Sequence, residues 1–173
     1  MLLAISYLAG KLHPTKNIDV RKQLISFFLL LISSALVAIF TEELVFRGCI
    51  QRQLLKLTSP LSAILIATTI FGIWHLTAGR WLKLSNAQIL VYCIGAGLVG
   101  VILGLFYYVS QSLIVAGVLH GLWNGIVYRV WGLGDVAHGL FVSKNDALTH
   151  PEYGIMGVSI LALAVLLLLI GYL

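Results

Sequence analysis

Long apolar stretches separated by short polar segments are the dominant pattern of this chain. Five of them carry few or no charged residues: residues 24–40, 61–76, 87–109, 113–130 and 153–173. A membrane-spanning helix needs roughly 20 apolar residues, and each stretch reaches or approaches that length with its flanks. Lipid offers the backbone no hydrogen-bonding partner, so such stretches must be helical. The pattern predicts five transmembrane helices, preceded by a short apolar segment at residues 1–10.

Composition agrees with this prediction. Hydrophobic residues make up 60% of the 173 residues and charged residues only 10%, whereas a water-soluble domain carries about a quarter charged residues. Too little polar surface is present to cover a soluble fold. We therefore predict an all-α, polytopic membrane helix bundle that forms a single domain over residues 1–173.

The net charge of +5 is unevenly distributed. With five spans, eight basic residues fall on one side of the membrane: Lys11, Lys16, Arg21, Lys22, Arg80, Lys83, Arg129 and Lys144. The positive-inside rule then predicts a cytoplasmic N-terminus, in the cell membrane if the cell is prokaryotic. We expect these residues to attract anionic membrane lipid rather than nucleic acid.

Two further features concern the helices. The first helix is expected to continue past its apolar stretch to about Leu57. Thr58-Ser59-Pro60 then ends this helix, and Pro60 begins the second helix. The glycines recur at intervals of four, which favours close helix packing in membranes and predicts close contact between the third and fourth helices. They are Gly100 and Gly104, then Gly117, Gly121 and Gly125. Residues 134–152 are expected to form one long loop.

Three polar clusters interrupt the predicted spans, although ionisable groups in lipid are costly and usually face a partner or a cavity. The clusters are Glu42-Glu43 with Arg47, Phe71 with His75, and His120 with Asn124. Within each cluster a spacing of four residues places side chains on one helix face. Trp74, Trp81, Trp123 and Trp131 are interpreted as packing or interfacial aromatics, and His13, His138 and His150 are assigned no role.

The clusters are also predicted to share one depth. Glu42 and His75 each lie about fifteen residues from the turn at 58–60, which is roughly 22 Å along a helix. His120 and Asn124 lie about ten and fourteen residues beyond Ser110, roughly 15–21 Å from the same side. Three helices are thus expected to bring a carboxylate, two imidazoles and a carboxamide together.

These groups suit hydrolysis of a carbonyl bond. A carboxylate beside a neutral histidine can take a proton from water, and a second histidine with a carboxamide can stabilise an oxyanion. Alternatively, a metal, with zinc as the candidate, could be held by Glu42, His75 and His120. Since no Ser or Cys is identifiably placed beside a base, a covalent mechanism is less favoured.

At these residues the sequence resembles the CPBP family, the CAAX proteases and bacteriocin-processing enzymes, also called the Abi family. This family includes the Ras-converting prenyl-protein endopeptidases. Its three ordered motifs are matched by Glu42-Glu43-x-x-x-Arg47, Phe71-x-x-x-His75 and His120-x-x-x-Asn124. The matched core covers residues of about 30–130, and the chain departs from the family in having fewer spans than most members.

The resemblance implies an intramembrane endopeptidase acting on a peptide or protein substrate, lipidated or not. Glu42 and His75 would activate water, and His120 and Asn124 would stabilise the oxyanion, with Glu43, Arg47 and Phe71 auxiliary. The family has been labelled metalloprotease-like, but the absence of an HExxH sequence favours a glutamate-type enzyme without a cofactor.

Two other classes of membrane protein compete with the enzyme as an interpretation of this sequence. A non-catalytic immunity or scaffold protein could use the same polar cluster as a structural brace. A transporter is poorly supported, because the sequence shows no inverted repeat and no paired helices broken by Gly or Pro.

Overall fold

The computed structural model describes residues 12–14, 19–133 and 137–172. The apolar segment predicted at residues 1–10, together with Lys11 and Lys16, lies outside these residues. The first helix has three parts: α1 (Val20–Val37), a π-helix (Ala38–Gln51) and a last α-helical turn (Arg52–Leu54). The other helices are α2 (Pro60–Trp81), α3 (Asn86–Ser110), α4 (Leu113–Val130), α5 (Asp146–Thr149) and α6 (Ile155–Tyr172).

The prediction of an all-α membrane bundle is confirmed. In the described part of the chain, four helices are long and apolar enough to cross a membrane, and α6 is a shorter apolar helix. Many large apolar side chains point outward; Phe28, Leu29 and Ile32 on α1 are each about 60% exposed. An apolar surface of this extent suits contact with lipid, whereas soluble monomers rarely expose large apolar patches.

Short polar turns end the helices where the sequence predicts them. Ser59 accepts a hydrogen bond from the Ser62 backbone N–H with Pro60 in the first turn of α2, so Pro60 begins a helix as expected. Ser85 and Gln88 form a reciprocal capping box at the start of α3. Gln111 adopts a left-handed conformation with φ of 52° and reverses the chain between α3 and α4.

The segment predicted as one long loop, residues 134–152, contains short regular elements in its described part. Strand β1 (Leu12–Pro14) pairs antiparallel with β4 (Phe141–Ser143), and β2 (Gly132–Leu133) pairs with β3 (Ala137–His138). The helix α5 also lies in this region. Strands of two or three residues leave no detectable alternation in the sequence. Their pairing places residues 12–14 and the segment after α4 at the same end of the bundle.

The glycines spaced four residues apart on α3 and α4 pack against partners other than those predicted. Gly100 and Gly104 of α3 face α2 and the π-helix, and Gly117, Gly121 and Gly125 of α4 face the first helix. A methyl group on Gly121 would lie 2.5 Å from the Cα of Ala35, so the α4 backbone almost touches α1. The spacing correctly indicated close packing, but spacing along one helix carries no information about which neighbour it meets.

Candidate active site

Three polar side chains form a buried line along the π-helix. Glu43, Arg47 and Gln51 are four residues apart and at most 2% exposed. Arg47 Nη1 donates to Glu43 Oε1 at 3.0 Å, which confirms the expected pairing on one face. Arg47 Nη2 also donates to the Gly100 carbonyl at 3.0 Å, and Gln51 Nε2 to the Gly104 carbonyl at 2.9 Å. These hydrogen bonds therefore hold the π-helix against α3 at Gly100 and Gly104.

The π-helix itself was not expected. The sequence predicted continuation of an ordinary helix through Glu42 and Arg47, and the structure has wider turns over Ala38–Gln51. Such turns are rare and frequently occur at functional sites. They place Glu43 in the interior with no exposure, while the Glu42 side chain, its sequence neighbour, retains 26% exposure.

His75 has a tautomer fixed by its own helix. Its Nδ1 lies 2.9 Å from the Phe71 carbonyl oxygen, and because a carbonyl can only accept, Nδ1 must carry the hydrogen. The neutral ring then keeps its lone pair on Nε2. The Phe71 ring contacts the His75 ring with centroids 4.5 Å apart, so Phe71 orients His75 through both its backbone and its ring.

His120 lies between two carboxylates. Its Nδ1 is 2.7 Å from Glu43 Oε1 and therefore donates to that oxygen, and its Nε2 is 3.8 Å from Glu42 Oε2. The second distance is too long for a hydrogen bond. Glu43 Oε1 thus accepts hydrogen bonds from both Arg47 and His120 and holds the His120 ring in place.

The structure brings all four predicted catalytic side chains to one cavity. Glu42, His75, His120 and Asn124 line a space of about 190 Å³, and Phe71 contributes to its wall. Asn124 lies one turn beyond His120 on α4. The expected convergence of three helices at one depth is therefore observed, whereas the chemical role of each side chain remains a prediction.

The comparison with protein families bears on the same part of the chain. A family model described as Rce1-like, type II CAAX prenyl endopeptidase, matches residues 24–126. This match covers more than half of the chain and includes every residue of the three motifs. The chain belongs to the Rce1-like family. No curated protein and no solved structure was found to match it.

Membership in the Rce1-like family confirms the resemblance stated for the three motifs. It supports a CAAX-type intramembrane protease embedded as an integral membrane protein. The match ends at residue 126. Helices α5 and α6 of this Rce1-like chain, and the β-strands that follow α4, therefore lie beyond the match.

The alternative metal site was compared with the geometry. Among the described residues, no three His, Cys, Asp or Glu side chains form a group that could hold a metal ion. Glu42, His75 and His120 line the cavity of this Rce1-like protein without forming such a group. Both cysteines, Cys49 and Cys93, are free.

Sequence reasoning missed two side chains of the site. Gln51 continues the four-residue interval of Glu43 and Arg47, which is a signal that could have identified it. Glu152, which was assigned to a loop, is 5% exposed and lines the cavity. Its only local signal is an acidic residue immediately before an apolar stretch, which is too common a pattern to indicate a site.

The residues that were assigned no role separate into two kinds. His13 is exposed, whereas His150 is fully buried and stacks on the Tyr153 ring at a centroid distance of 3.7 Å. Burial lowers the pKa of His150 to about 4, so this ring is neutral near pH 7.

Trp74, Trp81 and Trp123 line the cavity and were predicted only as packing or interfacial aromatics.

Proposed function

We propose that this protein is an intramembrane endopeptidase that hydrolyses a peptide bond with a water molecule activated by Glu42 and His75. The observation that carries the proposal is the common cavity of Glu42, His75, His120 and Asn124. The free lone pair on His75 Nε2, which follows from the Phe71 hydrogen bond, suits a group that orients water. Glu42, being partly exposed to the cavity, is the carboxylate that takes the proton.

The other two side chains serve the tetrahedral intermediate. When the hydroxide forms a bond to the carbonyl carbon, the carbonyl oxygen becomes negative and needs hydrogen-bond donors. His120 is proposed to supply one donor from Nε2, the ring nitrogen near Glu42, while its Nδ1 stays bonded to Glu43. The Asn124 amide supplies a second donor. Glu43 and Arg47 position His120 and contact no substrate.

The substrate is proposed to be a peptide or protein segment presented at the membrane. A prenylated C-terminal tail is the substrate that the family description names, and an unlipidated leader or signalling peptide fits the same chemistry. We propose no cofactor, and the membrane lipid is a solvent for the helices rather than a reactant.

The test is cleavage of quenched-fluorescent peptides, prenylated and unprenylated, by detergent-purified protein. Glu42→Gln and His75→Ala are each expected to lower turnover at least about 100-fold, the usual contribution of general base catalysis. His13→Ala, which changes an exposed histidine outside the cavity, is the matched control and should retain activity. Thermal unfolding and gel filtration establish that each variant folds.

Addition of a chelator distinguishes the glutamate-type mechanism from the metal-dependent alternative. Turnover that persists in chelator supports the glutamate-type mechanism, and turnover lost in chelator and restored by zinc supports the metal alternative. If well-folded wild-type protein cleaves none of the peptides and Glu42→Gln lowers its melting temperature, the polar cluster is a structural brace of a non-catalytic membrane protein.

A further inference from the structure

Glu152 adds a second carboxyl group to the wall of the cavity. It lies three residues before α6, beyond the family match that ends at residue 126. Its side chain is only 5% exposed and lines the same space as Glu42, His75 and His120. Burial of an acidic group without a cation is costly, so its position requires a reason other than packing.

Neighbours on three sides hold Glu152 in place. Trp123 Nε1 donates to Glu152 Oε1 at 2.8 Å, and the Glu152 backbone N–H donates to His150 Nδ1 at 3.2 Å. The Glu152 carbonyl packs directly against Gly95 on α3, where a methyl group would clash with it. The carboxyl group is thereby anchored through one oxygen and fixed in orientation.

Its other oxygen has no partner. Glu152 Oε2 is fully buried and makes no hydrogen bond to any residue that the structure describes. Buried polar atoms are nearly always hydrogen-bonded, and leaving one unpaired costs about 1–3 kcal/mol. Because Glu152 lines the cavity, a molecule bound there is the partner that we assign to this oxygen.

Burial keeps a substantial share of this carboxyl group protonated near neutral pH. Burial raises the pKa of Glu152 to about 7, the nearby Glu42 adds to the rise, and the Trp123 hydrogen bond and His120 oppose it. Tyr92 and Tyr128 line the same cavity. A neutral carboxyl group has an O–H that can donate a proton, which a carboxylate lacks.

We infer that Glu152 is a further catalytic residue, the acid that protonates the departing amine when the peptide bond breaks. This role rests on the proposed peptidase function. In the tetrahedral intermediate the C–N bond breaks and its electron pair stays on nitrogen, which takes the proton from Glu152. The oxyanion re-forms the carbonyl, and Glu42 returns the proton that it took from water to Glu152.

The decisive experiment compares two scissile bonds in one peptide sequence. An amide nitrogen must be protonated to leave, whereas a thiolate leaves without a proton, so a thioester analogue bypasses the acid. Glu152→Gln is expected to slow amide cleavage about 100-fold while thioester cleavage stays near the wild-type rate. Wild-type amide turnover should also fall as the pH rises through about 7, because the acid loses its proton, and thioester turnover should not show this fall.

Two control variants accompany this measurement. Glu42→Gln should slow both substrates, because both need activated water. Asp146→Asn changes an exposed acid in the same connecting region that does not line the cavity, and it should leave both rates unchanged.

A further variant addresses the case in which Glu152→Gln does not fold. Trp123→Phe keeps the carboxyl group but removes the hydrogen bond that lowers its pKa. In this variant, amide turnover should therefore fall at a higher pH than it does in the wild-type protein.

Equal loss of amide and thioester cleavage in Glu152→Gln, or full retention of both, would overturn the acid role while leaving the peptidase function intact. Wild-type protein that cleaves neither substrate, prenylated or not, overturns the peptidase function and this role with it.

Discussion

At the scale of single residues, charge burial is the dominant energetic problem of this protein. Arg47 is 2% exposed, and Glu43 is not exposed at all. Two buried ions are tolerated only when their mutual attraction and additional hydrogen bonds offset the loss of hydration. Here His120 and the Gly100 carbonyl provide the additional contacts. The Glu43 oxygen that pairs with Arg47 therefore also holds His120.

Arg47→Met is therefore expected to destabilise the protein strongly. Removal of one partner of a buried ion pair leaves an uncompensated charge and costs about 3–5 kcal/mol. The measurement is the melting temperature in detergent. Arg52→Met is the matched control, because Arg52 lies five residues further on and is exposed, where substitutions change stability by about 0.5 kcal/mol or less. Equal melting temperatures for the two variants would contradict a structural role for the buried pair.

At the scale of the elements, close backbone contact between α1 and α4 determines where His120 lies. Gly121 follows His120 directly and is the point at which α4 meets Ala35 on α1. Small residues at such crossings are what allows membrane helices to approach. The position of His120 thus depends on a packing contact made by its neighbour Gly121.

Gly121→Ala is expected to lower both stability and activity. The added methyl group would lie 2.5 Å from Ala35 Cα, and relief requires a backbone shift of a kind that costs about 1–3 kcal/mol. Gly97→Ala is the control: its methyl group would meet only the Thr68 carbonyl, at 3.9 Å, and alanine is the better helix former. Melting temperature and peptide turnover are measured for both. An undisturbed Gly121→Ala protein would show that α1 and α4 are free to separate.

At the scale of the whole molecule, the cavity is displaced toward one end of the bundle. Its wall includes Leu82 at the end of α2 and Leu133 just after α4. The pairing of β1 with β4 brings residues 12–14 to this same end. Among the described basic residues that are predicted on one side of the membrane, Arg21 and Lys22 lie in the first turn of α1, Arg80 and Lys83 lie at the end of α2, and Lys144 follows α4. These positions agree with a common side. Arg129 lies in the last turn of α4.

Cysteine labelling tests this arrangement. In a background with Cys49 and Cys93 replaced by serine, single cysteines are placed at the exposed positions Thr58, Lys83 and Lys144. A membrane-impermeant maleimide applied to intact cells should label only Thr58→Cys, because the basic end is predicted to be cytoplasmic. Labelling of Lys83→Cys and Lys144→Cys but not Thr58→Cys would reverse the orientation. Labelling of all three would refute the hairpin order of the helices.

Much of the fold and site was predictable because it depends on local pattern. The apolar stretches gave the helices, since lipid permits no other structure for them, and intervals of four identified Glu43 with Arg47 and Phe71 with His75. Depth along a helix follows from the constant rise per residue, which is why the meeting of Glu42, His75 and His120 could be anticipated.

The remaining features depend on contacts between residues far apart in sequence. Arg47 meets a carbonyl 53 residues away, His120 meets Glu43 across 77 residues, and Trp123 meets Glu152 across 29. No periodicity encodes such pairs, because the rotation of each helix about its axis is settled only when all of them pack together.

The sequence by itself thus determined a membrane helix bundle, the family and four polar side chains at one depth. Only the tertiary structure decided which helices the glycines bring together, that the glutamates lie on a π-helix, and that Glu152 joins the cavity. The physical reason is that membrane insertion depends on the total apolar length of a segment, whereas the shape of a site depends on which faces of separate segments meet.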